Sequence, residues 1–206
     1  MTLRFSKLGC SKGGRRLFRD IDCEVPAGRW LYVKGPNGVG KTSLLRMVCG
    51  LSSLDQGDIA WHGASIRGLP ETYRRDIRFL GHLNALQDAM TVAENLRFGC
   101  ALHGVALEQE ACRAVLARFG LRGREQQIAR HLSQGQRRRV ALARLTLSPG
   151  RLWILDEPYV AMDDAGIGLL ADMIANHLDG GGTAVITSHQ QVAIPGHPPL
   201  LLELGA

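Results

Sequence analysis

Short apolar runs recur along the chain at residues 31–33, 77–80, 152–155 and 184–187, and they do not alternate with polar positions. Strands buried on both faces have this composition, because helices cover both sides of a parallel sheet. The pattern therefore predicts an α/β fold with a largely parallel sheet.

The first thirty residues follow a different pattern. Residues 3–5 and 21–25 alternate between inward and outward positions, and the second stretch ends at the turn Pro26-Ala27-Gly28. Alternation with a period of two is typical of strands that have one buried and one exposed face. We expect an antiparallel β subdomain at this end of the chain.

Between residues 91 and 147 the periodicity becomes helical. Thr91 and Glu94 form a capping-box pattern, in which each side chain can bond to an otherwise unpaired backbone N–H group, so a helix is predicted to begin there. Three further helices are predicted at about residues 108–119, 133–148 and 164–178.

Length and composition favour one domain. The chain has 206 residues, of which 45% are hydrophobic, so a single core can be buried but a second full domain would not fit comfortably. We expect one domain over residues 1–206, with a helical insert at about residues 86–148.

Charge and cysteine content narrow the possible environments. No apolar run reaches the roughly 20 residues that span a bilayer, and Arg4 and Lys7 interrupt any secretory signal, so a cytosolic chain is expected. The five cysteines show no C-x-x-C spacing, which argues against a disulfide framework or a zinc site. The net charge of +6 suits nucleotide, nucleic acid or an anionic membrane surface without choosing among them.

A glycine-rich octet follows the first apolar run and precedes a predicted helix that begins near Ser43. Its sequence is Gly35-Pro36-Asn37-Gly38-Val39-Gly40-Lys41-Thr42, which matches the phosphate-binding pattern Gly-x-x-x-x-Gly-Lys-Thr. The three glycines permit backbone conformations that point successive N–H groups at a phosphate. We expect Lys41 to bridge the β- and γ-phosphates of ATP and Thr42 to bind Mg²⁺.

Two acidic residues, Asp156 and Glu157, follow the third apolar run. Neighbouring side chains at a strand end point in different directions. We therefore expect Asp156 to be the second Mg²⁺ contact and Glu157 to orient the attacking water or act as its general base. Together with the glycine-rich loop, the pair predicts an ATPase.

The segment Leu132-Ser133-Gln134-Gly135-Gln136 resembles the signature motif of ATP-binding-cassette (ABC) ATPases, a family that combines it with the two motifs above. Ser133 is predicted to cap a helix whose N-terminal N–H groups attract an anion, and Gly135 permits close approach. The resemblance implies a P-loop NTPase fold of the ABC type. It also implies a homodimer in which Ser133, Gly135 and Gln136 bind ATP held by the opposite subunit.

Two further segments resemble motifs of the same family. Residues 160–163 resemble its D-loop, which implies that Asp163 crosses the dimer interface. Residues 187–190 resemble its switch, which implies a catalytic role for His189 at the γ-phosphate.

Over residues 3–190 the chain resembles the ATP-binding subunits of cytochrome c biogenesis haem exporters, the CcmA type. The resemblance rests on the pair Gly81-His82, the run Gln136-Arg137-Arg138-Arg139 and Trp153. It implies ATP hydrolysis coupled to haem export or handling. It also implies integral membrane permease partners of the CcmB type, and leaves open whether a CcmC-type subunit is a partner. It further implies no nucleic-acid partner and a peripheral position on the cytoplasmic side of the cell inner membrane.

The chain also departs from the family pattern. ABC ATPases commonly stack adenine on an aromatic residue where this chain has Ser-Lys-Gly-Gly at residues 11–14, and Phe18 is a poor substitute. The usual glutamine is missing from residues 80–87, where Asn84 and Gln87 are both candidates to replace it. Lys34 adds a cation that can either help to neutralise phosphate or extend into solvent.

Three alternative functions remain open. An ATPase subunit of another small-substrate exporter would keep every motif. A soluble ABC ATPase acting on nucleic acid would account for the basic charge, and salt-sensitive DNA binding would reveal it. A nucleotide-sensing module without turnover would leave Glu157 and His189 unexplained.

Overall fold

Two compact units make up the chain in a computed structural model that describes residues 2–68, 70–190 and 193–205. The first unit is built from Met1–Phe79, Gly150–Pro158 and Ile174–Ala206, and the second from Leu80–Pro149 and Tyr159–Met173. No helix among the described residues is both long enough and apolar enough to cross a bilayer.

An antiparallel sheet of four strands lies in the first unit, with the order β2-β1-β4-β5. Leu3 pairs with Val25 and Phe5 with Cys23, so the alternating apolar residues share one buried face. The predicted antiparallel subdomain is thus confirmed, although its last two strands were not predicted. The strands are β1 (Thr2–Lys12), β2 (Arg15–Pro26), β4 (Gln56–Trp61) and β5 (Ala64–Ser65).

The predicted site residues lie at strand ends of a five-stranded sheet. The strand order of this sheet is β6-β7-β8-β3-β9. The pairs β7–β8, β8–β3 and β3–β9 are parallel, which confirms the predicted sheet type. Every residue of β7 and β8 is buried, as expected for unbroken apolar runs. The strands are β3 (Trp30–Lys34), β6 (Ile77–Leu80), β7 (Leu152–Asp156), β8 (Thr183–Thr187) and β9 (Leu200–Glu203).

Helices α1 (Lys41–Val48) and α2 (Glu71–Asp76) complete the first unit, together with the last part of α6 (Asp164–Asp179). Leu44, Leu45 and Val48 of α1 are fully buried in the core. Burial of this apolar face fixes the orientation of the helix, and therefore of the loop that precedes it.

An imidazole stacks on an indole in the same unit. The rings of His177 and Trp153 lie 3.9 Å apart with their planes at 8°, and His177 Nε2 lies 3.2 Å from the carbonyl oxygen of Thr183. Burial lowers the pKa of His177 from its usual 6.5 to about 4. This histidine is therefore neutral at pH 7.

Three helices form most of the second unit, namely α3 (Val92–Ala101), α4 (Gln109–Arg118) and α5 (Gln134–Leu147). Thr91 Oγ1 accepts from the Glu94 N–H at 3.2 Å, and a Glu94 carboxylate oxygen accepts from the Thr91 N–H at 2.7 Å. This capping box confirms the predicted start of α3. The bounds of the other predicted helices agree with the structure to within two residues, whereas α2 was not predicted.

Candidate nucleotide-binding site

The glycine-rich loop connects β3 to α1. Gly35, Gly38 and Gly40 have φ angles of 147°, 78° and 113°, a region that residues with side chains rarely adopt. A Cβ atom at Gly35 would lie 2.6 Å from the carbonyl oxygen of Leu204. No side chain caps α1 at Gly40, so the first N–H groups of the helix are oriented to receive an anion.

Lys41 lies in the curve of this loop. Its side-chain nitrogen donates to the carbonyl oxygens of Gly35 at 2.7 Å and Pro36 at 3.2 Å. A cation held beside a row of backbone N–H groups suits a polyphosphate, so the residues present fit the phosphates of ATP.

Asp156 ends β7 as a buried carboxylate with two hydroxyl donors. Thr42 Oγ1 donates to Asp156 Oδ2 at 3.0 Å, and Thr187 Oγ1 donates to Asp156 Oδ1 at 2.7 Å. Adjacent hydroxyl and carboxylate oxygens are the ligands that Mg²⁺ prefers. The donor set therefore fits the expected metal.

Glu157 points away from Asp156 and towards the end of β8. Its backbone has a φ of 48°, and its N–H donates to Thr187 Oγ1 at 3.0 Å. One carboxylate oxygen accepts from the His189 N–H at 3.1 Å, and the other lies 3.4 Å from His189 Nε2. The left-handed backbone conformation redirects the chain so that neighbouring carboxylates serve different partners.

A hydroxyl from β3 holds the segment that carries His189. The Tyr32 hydroxyl donates to the carbonyl oxygens of Ser188 at 3.2 Å and Gln190 at 2.6 Å. The backbone is thus fixed on both sides of His189. Sequence reasoning missed Tyr32, which lies in a strand outside the motifs. It also missed the bridging role of Thr187, because the switch motif at residues 187–190 assigns a role only to His189.

One cavity of the first unit collects most of these residues. It is lined by Asn37, Gly38, Gly40, Lys41, Thr42, Ser43, Asp156, Glu157 and His189, together with Lys12 and Leu17 of the β1–β2 hairpin. The other predicted loop residues, Gly35, Pro36 and Val39, shape the loop from outside this lining. Val39, for example, lies beside the Cβ position of Gly35.

The remaining predicted contacts lie in the second unit. Ser133 Oγ accepts from the Gln136 N–H at 3.2 Å, and Gln136 Oε1 accepts from the Ser133 N–H at 3.0 Å. This second capping box opens α5. Ser133, Gly135 and Gln136 line a cavity that Asp163 and two arginines, Arg124 and Arg139, also line.

An ion pair fixes Asp163 in this second cavity. Arg139 Nη2 lies 2.6 Å from Asp163 Oδ1, which also accepts from the Gly166 N–H at 3.0 Å. The hydrogen bond from Arg139 is the main cause that lowers the pKa of Asp163. A helix N-terminus flanked by arginines is suited to an anion.

Residues 18–160 match the family model described as ABC transporter. The cytochrome c biogenesis ATP-binding export protein CcmA of Albidiferax ferrireducens is 62% identical over 205 residues, which cover 100% of this chain and 98% of the relative. This chain belongs to the CcmA family of ABC transporter ATP-binding subunits. The predicted family is therefore confirmed.

A second relative supports the assignment to the CcmA family, and two solved structures support the fold. The protein of the same name from Nitrosomonas europaea is 46% identical over 187 residues, covering 91% of this chain and 88% of that one. An ATP-binding ABC transporter protein from Pyrococcus furiosus has a TM-score of 0.86 at 24% identity, over 99% and 98% of the two chains. An ATP-binding subunit of an ABC transporter has a TM-score of 0.82 at 25% identity, over 92% and 80%. The predicted ABC ATPase fold is confirmed.

The adenine-stacking position of this CcmA-family chain carries no aromatic ring. Phe18 has an exposed fraction of 7% and packs in the core, so it does not line the cavity. The hairpin residues that do line it are Lys12 and Leu17.

Two arginines of α5 form hydrogen bonds with the loop that lacks the usual glutamine. The buried Arg138 donates to the Gly81 carbonyl oxygen at 2.9 Å and to Asn84 Oδ1 at 3.1 Å. Arg144 donates to the carbonyl oxygens of Ala85 at 2.7 Å and Asn84 at 3.3 Å. The Asn84 side chain thus serves as an internal acceptor for Arg138.

Arg137, also in α5, forms similar hydrogen bonds. It donates to the carbonyl oxygen of Ala129 at 3.0 Å and to the Asp88 carboxylate at 2.5 Å. Together with Arg139, all three members of the arginine run therefore have partners within the second unit.

Proposed function

We propose that this CcmA-family chain hydrolyses ATP as the energy-coupling subunit of a membrane export complex for c-type cytochrome biogenesis. The observation that carries the proposal is the cavity in which Lys41, Thr42, Asp156, Glu157 and His189 converge. The names of the relatives, cytochrome c biogenesis ATP-binding export proteins, supply the cellular role. Haem export or handling is the corresponding output.

Each residue of the first cavity has a role that follows from its chemistry. The backbone N–H groups of the loop at residues 35–43, to which every residue but Pro36 contributes, and the Lys41 ammonium bind phosphate oxygens, while Thr42 and Asp156 would hold Mg²⁺. The metal, when bound, neutralises charge on those oxygens. Glu157 holds the attacking water and accepts its proton. His189, whose ring lies beside the Glu157 carboxylate, contacts the γ-phosphate.

The second cavity supports a homodimer. Ser133, Gly135, Gln136 and Asp163 lie at the N-terminal end of α5 and beside it, where N–H groups and two arginines favour an anion. We assign these residues to the nucleotide held by the opposite subunit. On this proposal each ATP requires residues from both copies.

Exposed apolar side chains in the second unit support a contact with membrane subunits. Leu83, Phe98 and Leu102 have exposed fractions of 81%, 42% and 68%. Surfaces of this kind favour protein–protein association. The proposed partners are permeases of the CcmB type, with a CcmC-type partner as the alternative, and the proposed position is peripheral on the cytoplasmic face of the inner membrane.

Glu157→Gln tests the catalytic assignment. The substitution keeps the shape of the side chain but removes the base, so ATP binding should persist while turnover falls by about 100-fold or more. Glu110→Gln, at an exposed position of α4, is the matched control and should hydrolyse ATP at the wild-type rate. Wild-type turnover in Glu157→Gln would refute the role of Glu157.

Purification of the native complex from membranes tests the cellular role. Permease subunits together with haem should accompany the chain. Permeases without haem would favour the alternative, an exporter of another small substrate, and recovery with nucleic acid would contradict the proposal.

A further inference from the structure

We propose that Tyr32 is a positioning residue for ATP hydrolysis, which holds His189 in place, and that Lys34 stabilises the Tyr32 ring in that position. The inference deepens the proposed function and rests on the contact of His189 with the γ-phosphate. The described lining of the nucleotide cavity includes neither Tyr32 nor Lys34. Both residues therefore act through His189 and not on the nucleotide itself.

The turn that carries His189 is held from two sides. On one side, the Tyr32 hydroxyl lies 2.6 Å from the carbonyl oxygen of Gln190 and 3.2 Å from that of Ser188. On the other side, the His189 N–H donates to the Glu157 carboxylate at 3.1 Å. The His189 side chain has an exposed fraction of 54%, so packing contributes little to its position. The hydrogen bonds of the turn therefore determine where the imidazole lies.

The hydroxyl of Tyr32 is a buried donor. Tyr32 is 4% exposed, and burial raises its pKa above the usual 10.0, so the hydroxyl keeps its proton at neutral pH. A tyrosine has one proton to donate, which the two carbonyl oxygens share, with Gln190 the closer acceptor. Tyr32 lies in β3, which leads directly into the phosphate loop. One strand thus orders both the loop that binds phosphate and the turn that presents His189.

The ring of Tyr32 is fixed by the residues two positions before and after it, which share its side of the strand. The Trp30 ring stacks at 5.6 Å and 30°, and its indole N–H donates to the carbonyl oxygen of His197 at 2.8 Å. Lys34 Nζ lies 4.8 Å from the centre of the Tyr32 ring. A cation within about 6 Å of an aromatic face is attracted to it. These contacts restrict the ring and therefore the direction of its hydroxyl.

The contact with Tyr32 gives Lys34 a role besides the two that the sequence leaves open. The ammonium neither lines the described cavity nor extends freely into solvent, because the side chain is partly buried and lies over the ring. Lys34 thus affects hydrolysis through the position of Tyr32, and its charge contributes little to phosphate binding.

Tyr32→Phe tests the positioning role, because it removes the hydroxyl and keeps the ring. We expect kcat to fall about tenfold while KM and the affinity for ADP stay within about twofold, since a misplaced group at the γ-phosphate weakens binding of the transition state alone. Tyr73→Phe is the matched control. It removes another buried hydroxyl, which donates to the carbonyl oxygen of Val48 at the end of α1 remote from the phosphate loop, and it should keep the wild-type kcat.

A double-mutant cycle shows whether Tyr32 acts through His189. The readout is the affinity of the chain, loaded with Mg²⁺ and ADP, for orthovanadate, which mimics the phosphoryl group in the transition state. Tyr32→Phe should weaken vanadate binding about tenfold in the wild-type background but less than twofold beside His189→Ala. Tenfold losses in both backgrounds would overturn the inference, because Tyr32 would then act independently of His189.

Amide hydrogen exchange of the nucleotide-free chain provides a readout without turnover. The N–H groups of His189 and Gln190 should exchange about tenfold faster in Tyr32→Phe than in the wild type or in Tyr73→Phe, because the turn opens more often when its hydroxyl donor is lost. Unchanged exchange in Tyr32→Phe would overturn the inference, whatever the rate of hydrolysis.

Lys34→Met separates the ring contact from phosphate binding. It keeps the length of the side chain but removes the charge, so kcat should fall about threefold with an unchanged affinity for ADP. A tenfold loss of ADP affinity in this variant would place Lys34 at the phosphates and refute its assignment to Tyr32. Absence of hydrolysis in the wild type would instead contradict the proposed function, and the exchange measurement would still decide whether Tyr32 holds the turn.

Discussion

Replacing Thr187 by valine removes one hydroxyl that supports both acidic residues of the nucleotide site. The Thr187 side chain is completely buried, and its hydroxyl donates to Asp156 at 2.7 Å and accepts from the Glu157 N–H at 3.0 Å. Valine is β-branched like threonine and has nearly the same shape, so the substitution mainly changes hydrogen bonding.

The expected loss follows from these two bonds. A hydrogen bond to a charged group contributes about 1.5–3 kcal/mol. A buried N–H group deprived of its acceptor adds a penalty of about 1 kcal/mol. Thr187→Val should therefore lower the free energy of unfolding by about 3 kcal/mol, a large share of the ~5–15 kcal/mol that stabilises a typical domain.

Thr183→Val is the matched control. Thr183 lies in the same strand and is equally buried, but its hydroxyl lies 3.4 Å from the nearest recorded acceptor, the carbonyl oxygen of Pro26. Such a long bond contributes little, so this control should lose less than about 1 kcal/mol. Urea unfolding of the two variants should thus differ by about 2 kcal/mol, a gap well above the error of the method.

ATP hydrolysis by the same two variants provides the functional test. Thr187→Val should lower kcat, because Glu157 loses the acceptor that fixes its left-handed backbone, whereas Thr183→Val should not. Equal unfolding free energies in the two variants would refute the bridging role. A stability loss without any loss of kcat would show that the hydroxyl supports the fold alone.

Three other predictions follow from the structure. The unfolded chain takes up a proton at the usual pKa of His177, near 6.5, and the folded chain only at about 4, so stability should fall as the pH drops from 6.5 to 4. His177→Gln should remove that part of the pH dependence in urea unfolding, and an unchanged slope would contradict it. Gly35→Ala should abolish nucleotide binding, whereas Gly38→Ala, where a Cβ meets nothing within 4 Å, should cost only about 1 kcal/mol of backbone strain. Thermal unfolding and nucleotide titration compare the two, and equal effects would count against the steric argument. Arg138→Met should lower the unfolding free energy by about 2–4 kcal/mol, against less than about 0.5 kcal/mol for the exposed Arg118→Met, and similar losses would show that the buried contacts contribute little.

Elements with a strong local signal could be predicted from the sequence. The parallel strands that end at Asp156 and Thr187 are continuous apolar runs, and the capping boxes at Thr91 and Ser133 mark helix starts by residue type alone. The convergence of the glycine-rich loop and the acidic pair follows from the same parallel sheet, because its carboxyl ends share one edge.

The parts that could not be predicted depend on pairing or on side-chain direction. Strand β4 contains Gly57 and Asp58, which disfavour strands, and it forms because β1 pairs with it. The contacts of Arg138 and Arg144 with the loop at residues 81–85 join positions more than fifty apart in the chain. No local pattern encodes such contacts, so Asn84 could not be identified from the sequence as their acceptor.

The arginine run near the start of α5 changes how the net charge of +6 should be interpreted. Each member donates to an oxygen within the second unit, so Arg137 and Arg138 act mainly in holding this unit together, whereas Arg139 also lines the second cavity. A homologue carrying lysines there would have the same formal charge at pH 7 but weaker contacts, because the planar guanidinium presents its donors in a fixed geometry and the lysine ammonium does not. Counting basic residues would not distinguish the two sequences, although the arginines would hold the signature segment more firmly than the lysines.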